Sequence, residues 1–162
     1  MRWTAIESPI GELSLAADDT GLTRLRFGAV GAEVDHDIAG ESAVLTAARQ
    51  ELAAYFAGEL TEFTVPLSAP GGSAFEVAVW RRLTAIPYGE METYGEVARA
   101  VGDVGAARAV GVACNRNPVA IIVPCHRVVG AGGKMVGFGG GLPRKRHLLE
   151  LEARVTLETA WS

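Results

Sequence analysis

The sequence predicts an α+β protein in two parts: a small antiparallel sheet carrying one helix, then a mainly helical domain that contains a helix-turn-helix. Three observations carry this. Short alternating segments near the N-terminus are divided by good turn sequences, a helical period follows them, and beyond a Pro/Gly-rich linker the pattern changes to short helices with marked starts.

The alternating segments run from Trp3 to Glu7, Glu12 to Ala17 and Leu22 to Phe27, separated by Ser8-Pro9-Ile10-Gly11 and Asp18-Asp19-Thr20-Gly21. This is the pattern of an antiparallel meander. Val44, Leu45, Ala48, Leu52, Tyr55 and Phe56 recur at helical spacing, and Gly58 is placed to end that helix. A further strand is expected near Phe63 to Leu67. The stretch from Pro66 to Gly72 reads as a linker, dividing the chain into domains at 1–68 and 73–162. Ser73 with Glu76, and Thr93 with Glu96, have the spacing of capping boxes that open helices. The first should stop before Pro87 and the second near Val101-Gly102. A third helix is expected from about Gly105 to Cys114, and two short helices joined by a Gly-containing turn make a helix-turn-helix. The apolar run Val119 to Val123 reads as a strand, residues 130–141 as a glycine-rich loop, and Pro143 as the first turn of a last helix.

Length and composition narrow the functional classes. With 162 residues, 49% of them apolar, the chain can bury a core without disulfides. Its longest aliphatic run near the middle is far short of the roughly 20 residues that cross a bilayer, so no membrane role is expected. The opening residues lack an apolar signal core, which points to a cytoplasmic protein with Cys114 and Cys125 as reduced thiols. The net charge of −4 conceals an asymmetry: residues 1–104 carry 7 basic and 16 acidic side chains, whereas residues 105–149 carry 7 basic and none acidic. Such a block is a candidate face for a polyanion.

The third predicted helix has alanine or glycine at most positions and one long cation, Arg108. A helix that reads the major groove presents several long polar side chains; this one suits close, shape-based approach to a minor groove. Pro124-Cys125-His126-Arg127 places a thiol beside an imidazole and local positive charge, the conditions that promote a reactive thiolate. Neighbouring Cys and His do not have zinc spacing, and His36 and His147 have no cysteine partners at finger-like distances, so neither metal nor cofactor is expected. A catalytic imidazole needs an orienting acid. On the last helix Glu152 projects near the face marked by Leu148, Leu149 and Leu151, whereas Glu150 points outward. The glycine-rich loop is no phosphate loop, but its backbone can approach a flat ligand, with Phe138 as an apolar wall.

The run Ile122 to Val129, preceded by Ala107-Arg108-Ala109-Val110-Gly111 and Asn115-Arg116-Asn117-Pro118, closely resembles the O6-alkylguanine-DNA alkyltransferases. The likeness extends from Ile86-Pro87-Tyr88-Gly89 and Thr93-Tyr94 to Leu148 through Glu152. It implies direct-reversal DNA repair in duplex DNA: one transfer of an alkyl group from O6 of guanine, or O4 of thymine, to Cys125, with the base flipped out through the minor groove. His126 would take the thiol proton through a bridging water, Glu152 would orient the imidazole, and Asn117 would tie the helix-turn-helix to the active-site segment. Tyr94 would donate to N3 of the departing guanine. The carbonyl of Val128, Phe138 (commonly tyrosine in the family) and Gly139 would line the base pocket. Arg108 would fill the space left by the flipped nucleotide, with Ala107, Ala109, Gly111 and Asn115 also on the DNA. The 73–162 domain would then bind DNA and carry out transfer, as a monomer whose cooperativity on DNA is open. The competing readings are a non-catalytic helix-turn-helix regulator and a cysteine hydrolase.

Overall fold

The computed structural model describes residues 2–28 and 42–160. The chain divides into two units, one of Met1–Pro70 with Pro118–Ala120, the other of Gly71–Asn117 with Ile121–Ser162. No helix among the described residues is long and apolar enough to cross a membrane.

In the first unit β1 (Arg2–Ile6), β2 (Leu13–Ala17) and β3 (Leu22–Phe27) form an antiparallel sheet in that order, with Arg2 opposite Ala17 and Leu13 opposite Phe27. The central strand is buried along its whole length. In the turn after β2, the Asp18 carboxylate accepts from the backbone N–H groups of Thr20 and Gly21 at 2.8 and 3.0 Å. Such a side-chain acceptor stands in for a backbone turn. Helix α1 (Ala43–Phe56) starts at Ser42, whose side chain accepts from Leu45 N, and buries Leu45, Ala48, Leu52 and Tyr55.

The segment expected as a strand near Phe63 to Leu67 is not one. Only Leu67 bridges to Leu22. Glu51 supplies the reason: its carboxylate accepts from the backbone N–H groups of Thr64 and Val65, each at 2.9 Å, and Pro66 has no N–H to offer, so a ladder cannot form there.

The second unit opens with α2 (Ala74–Thr84), and a two-residue strand β4 (Glu92–Thr93) leads into α3 (Tyr94–Ala100). Both helices have the reciprocal capping boxes expected from Ser73 with Glu76 and Thr93 with Glu96. Helix α4 (Ala107–Asn115) begins two residues later than Gly105, has no side-chain cap, and is tied to α2 by Trp80 Nε1 donating to Ala113 O at 2.9 Å. After α4 the apolar run 119–123 also departs from a strand. In the first unit Val119 makes one bridge to Leu25; thereafter the chain turns through Ile121 at φ +71°, the only non-glycine residue with positive φ among those described. A β-branched residue in the left-handed region costs of order 1–3 kcal/mol, so this turn is held by its surroundings. A 3-10 turn over Cys125–Arg127 follows, then β5 (Val128–Val129), which pairs in parallel with β4, a ladder too short to show in the sequence pattern. Helix α5 (Leu142–Ala160) buries Lys145, Leu148, Leu151, Glu152 and Val155 on one face, and Leu149 is half-buried rather than core.

Removing the Thr93 hydroxyl takes away the acceptor for Glu96 N at the start of α3. Thr93→Ala should therefore lower stability by about 1 kcal/mol, read as a shift of the urea midpoint with unchanged slope.

Candidate active site

Cys125 sits at the first position of the 3-10 turn, its backbone N–H bonded to Val123 O at 2.8 Å, and is 6% exposed. Asn117, the second residue beyond α4, donates from Nδ2 to Val123 O at 2.7 Å and also hydrogen-bonds the thiol. One amide thus braces the strained turn and the sulfur together. The sequence reading expects local positive charge to favour thiolate. Burial outweighs it: the thiol is pushed above its ordinary range, with Asn117 and Lys145 opposing only in part, so the resting sulfur is protonated.

The proton acceptor lies one residue on. His126 is fully buried, and its Nε2 is 2.7 Å from Glu152 Oε2. Glu152 is reached by three further donors: Arg127 Nε to Oε1 at 2.8 Å, Arg127 Nη2 to Oε2 at 3.0 Å, and Gly89 N to Oε1 at 3.2 Å. That last approach requires glycine. At φ +81°, a Cβ on Gly89 would stand 2.2 Å from Thr156 Oγ1. Burial alone would raise the Glu152 carboxyl, but hydrogen bonds from His126 and Arg127 and the charge of Arg127 hold it well below the usual carboxylate range. An ionised Glu152 can only accept, so the hydrogen-bond network assigns the imidazole proton to Nε2. His126 itself is pushed down by burial, which outweighs Glu152. Neutral imidazole with Nε2–H leaves a lone pair on Nδ1, and that atom has no hydrogen-bond partner among the described residues. The site therefore holds a protonated thiol and, on the next residue, a vacant base.

Tyr94, at the start of α3, donates its hydroxyl to Gly137 O at 3.1 Å and Val136 O at 3.3 Å in the glycine-rich loop, and burial pushes its phenol up to about 12. Val128 is buried, and its carbonyl accepts from Lys145 Nζ at 2.5 Å. Phe138 is half-buried and Gly139 exposed, its Cβ position 3.8 Å from Asn115 Oδ1. On α4, Arg108, Ala109 and Asn115 are exposed, Ala107 and Gly111 half-buried, and a Cβ on Gly111 would stand 3.8 Å from the Tyr94 ring. The structure thus brings Cys125, His126, Glu152 and Asn117 into one linked group. Tyr94, Val128 and Phe138 gather around Lys145, and Arg108 stands apart from both on the outer face of α4. His36 lies outside the described residues.

Lys145 is the residue that sequence reasoning missed. It is fully buried, bonds Val128 O and Val136 O, and lies 5.8 Å from the Tyr94 ring and 5.9 Å from the Phe138 ring. Burial lowers its pKa, with the two cysteines opposing. Its signal was its place on the stripe of Leu148, Leu151 and Glu152. The positive block is correspondingly a weaker surface feature than its count implies: Arg127 and Lys145 are interior, and Arg116 lies 3.5 Å from Glu76.

An α+β chain with a thiol, an imidazole and an ionised carboxylate linked beside an amide brace defines a class of protein, the enzymes that use cysteine as a nucleophile. Comparison with known proteins resolves which. Residues 74–154 match the DNA-binding domain of 6-O-methylguanine DNA methyltransferase, and residues 1–69 match the ribonuclease-like domain of the same proteins. The chain is 50% identical over 157 residues to the methylated-DNA–protein-cysteine methyltransferase of Mycolicibacterium paratuberculosis, covering 95% of this chain and 93% of that one. It is 49% identical over 154 residues to that of Methanosarcina acetivorans, covering 94% and 98%. Among solved structures, Mycobacterium tuberculosis OGT in complex with DNA superposes with a TM-score of 0.84 at 49% identity, covering 96% and 94%. The chain belongs to the 6-O-methylguanine DNA methyltransferase family and is an enzyme.

A carboxyl depressed in the folded state adds stability that is present above its unfolded value near 4.5 and is lost as pH falls through the folded one. Unfolding free energy should therefore decline steadily below about pH 5. Glu152→Gln should flatten that decline and cost about 3–5 kcal/mol at neutral pH, since it leaves Arg127 buried and unpaired, both read from urea titrations across pH.

Proposed function

We propose that this chain repairs alkylated guanine in duplex DNA by a single transfer of the alkyl group, methyl above all, from O6 to Cys125. The observation that carries the reading is the open Nδ1 of a neutral His126 whose Nε2–H is bound to ionised Glu152, next to a protonated acceptor thiol. The thiol proton passes to Nδ1 through a water, and the sulfur gains nucleophilicity as the base takes that proton. The carbon–sulfur bond forms as the carbon–O6 bond breaks. Its electron pair enters the purine, which takes up a proton to leave as guanine. Tyr94 stabilises the charge developing on the purine by a hydrogen bond to N3, and for this its hydroxyl exchanges the Val136 and Gly137 carbonyls for the base. Val128, Phe138 and Gly139 line the base pocket, and O4 of thymine is a second acceptable leaving oxygen. The product thioether offers water no carbonyl to attack, so each molecule acts once.

A base inside the stack is out of reach, and extruding it costs a few kcal/mol. The pair α3 and α4, read as a helix-turn-helix, suits this task. Its outer face carries Arg108, Ala109, a half-exposed Val112 and Asn115, a shape for a minor groove with one cation to enter the space the nucleotide leaves. A cytoplasmic site of action, at the nucleoid, follows from this substrate.

Incubation with a duplex containing O6-methylguanine should add one methyl to Cys125 and no more, with none on Cys125→Ala, as read by intact and peptide mass spectrometry. Absence of that increment would sink the proposal. Arg108→Ala should slow transfer from duplex at least tenfold while leaving transfer from the free methylated base within twofold, on the order expected when one inserted side chain no longer offsets unstacking.

A further inference from the structure

We propose that Arg127 is a positioning residue for the transfer: by gripping both oxygens of Glu152 it keeps His126 neutral, with the proton on Nε2 and the Nδ1 lone pair open. This rests on the roles given to Cys125 and His126 above.

In the sequence Arg127 is one of seven cations in a basic block, but its side chain is 9% exposed and fully engaged. Nε and Nη2 form a fork on Glu152 at 2.8 and 3.0 Å, Nη1 donates to Ile86 O at 2.7 Å, and the guanidinium carbon lies 5.6 Å from the Tyr88 ring centroid. A guanidinium held by fixed acceptors on two sides cannot follow its partner elsewhere, so it fixes where the carboxylate stands.

Charge neutrality then determines the state of the imidazole. Buried Glu152 calls for one positive partner, and two groups are in reach: a guanidinium that cannot lose its proton and an imidazole that can. Because Arg127 fills that role, a proton on Nδ1 would add an uncompensated charge to the interior. The groups that bear on His126 are Glu152 and Lys145 from α5, and Cys125 and Arg127 from its own turn; Tyr88, after α2, faces the Glu152–Arg127 pair. While the thiol is protonated, Glu152 is the one that favours imidazolium, and Arg127 and Lys145 oppose it. Without Arg127, Glu152 draws the missing charge onto His126. The titration of His126 moves to higher pH, and the form with thiol and imidazole both protonated, which cannot pass on the thiol proton, spreads towards neutrality.

The experiment follows His126 by nitrogen-15 NMR and the alkylation of Cys125 by iodoacetamide, site-resolved by mass spectrometry, across pH in the full chain. Wild type should show the neutral Nε2–H tautomer at neutral pH. Arg127→Met should titrate at His126 about one pH unit or more higher, the size of a lost neighbouring charge, with the acid limb of alkylation moving equally and rates converging at high pH. Arg127→Lys, which keeps the charge without the fork, should titrate near wild type with a lower plateau. An equal loss at every pH with His126 unmoved would overturn the proposal. So would a wild-type His126 carrying its proton on Nδ1, a result available even if the methionine variant does not fold. Neither readout uses DNA, so failure of methyl transfer with the titration shift intact would reject the proposed function and leave this linkage standing.

Discussion

The carboxylate of Glu152 is the constraint on which the site depends. It is buried in α5, and donors from three sources converge on it: the Arg127 guanidinium, the His126 ring and the Gly89 backbone. An ion taken out of water at a cost of several kcal/mol survives only if its lone pairs are all met. Meeting them binds three separate stretches of chain, the loop after α2, the 3-10 turn and α5, at one point. The same requirement that stabilises the charge also sets the ring orientation and tautomer of His126, so folding and chemistry impose one geometry.

Around that point the backbone is arranged to present Cys125. The strained Ile121 turn gives the chain its approach, the Asn117 amide holds that turn to the end of α4, and the short parallel ladder of β4 and β5 carries Thr93 and Tyr94 alongside. Small residues matter where backbones must come close. Gly89 leaves no space for a side chain against Thr156.

Much of this was legible in the sequence where local chemistry decides the outcome. Asp18 accepts from the Thr20 and Gly21 amides within its own turn, Ser73 with Glu76 and Thr93 with Glu96 close reciprocal caps within four residues, and the stripe of Leu148, Leu151 and Glu152 follows from helical period alone. What the sequence did not disclose depends on distant partners. The stretch near Phe63 has strand composition, but Glu51, on α1, claims its amides. Val119 to Val123 has the composition of a strand and breaks at Ile121, since its neighbours, not its side chains, determine the path. Formal charge has the same limit. Arg127 and Lys145 count as surface cations until the fold supplies a carboxylate for one and two carbonyls for the other.

The resting condition of Cys125 has a meaning for durability. A sulfur that keeps its proton and shows 6% of its surface is a poor target for peroxide, stray electrophiles or other thiols, all of which react with exposed thiolate. Under the single transfer proposed above, such inertness would preserve the stock of unreacted molecules between encounters with substrate.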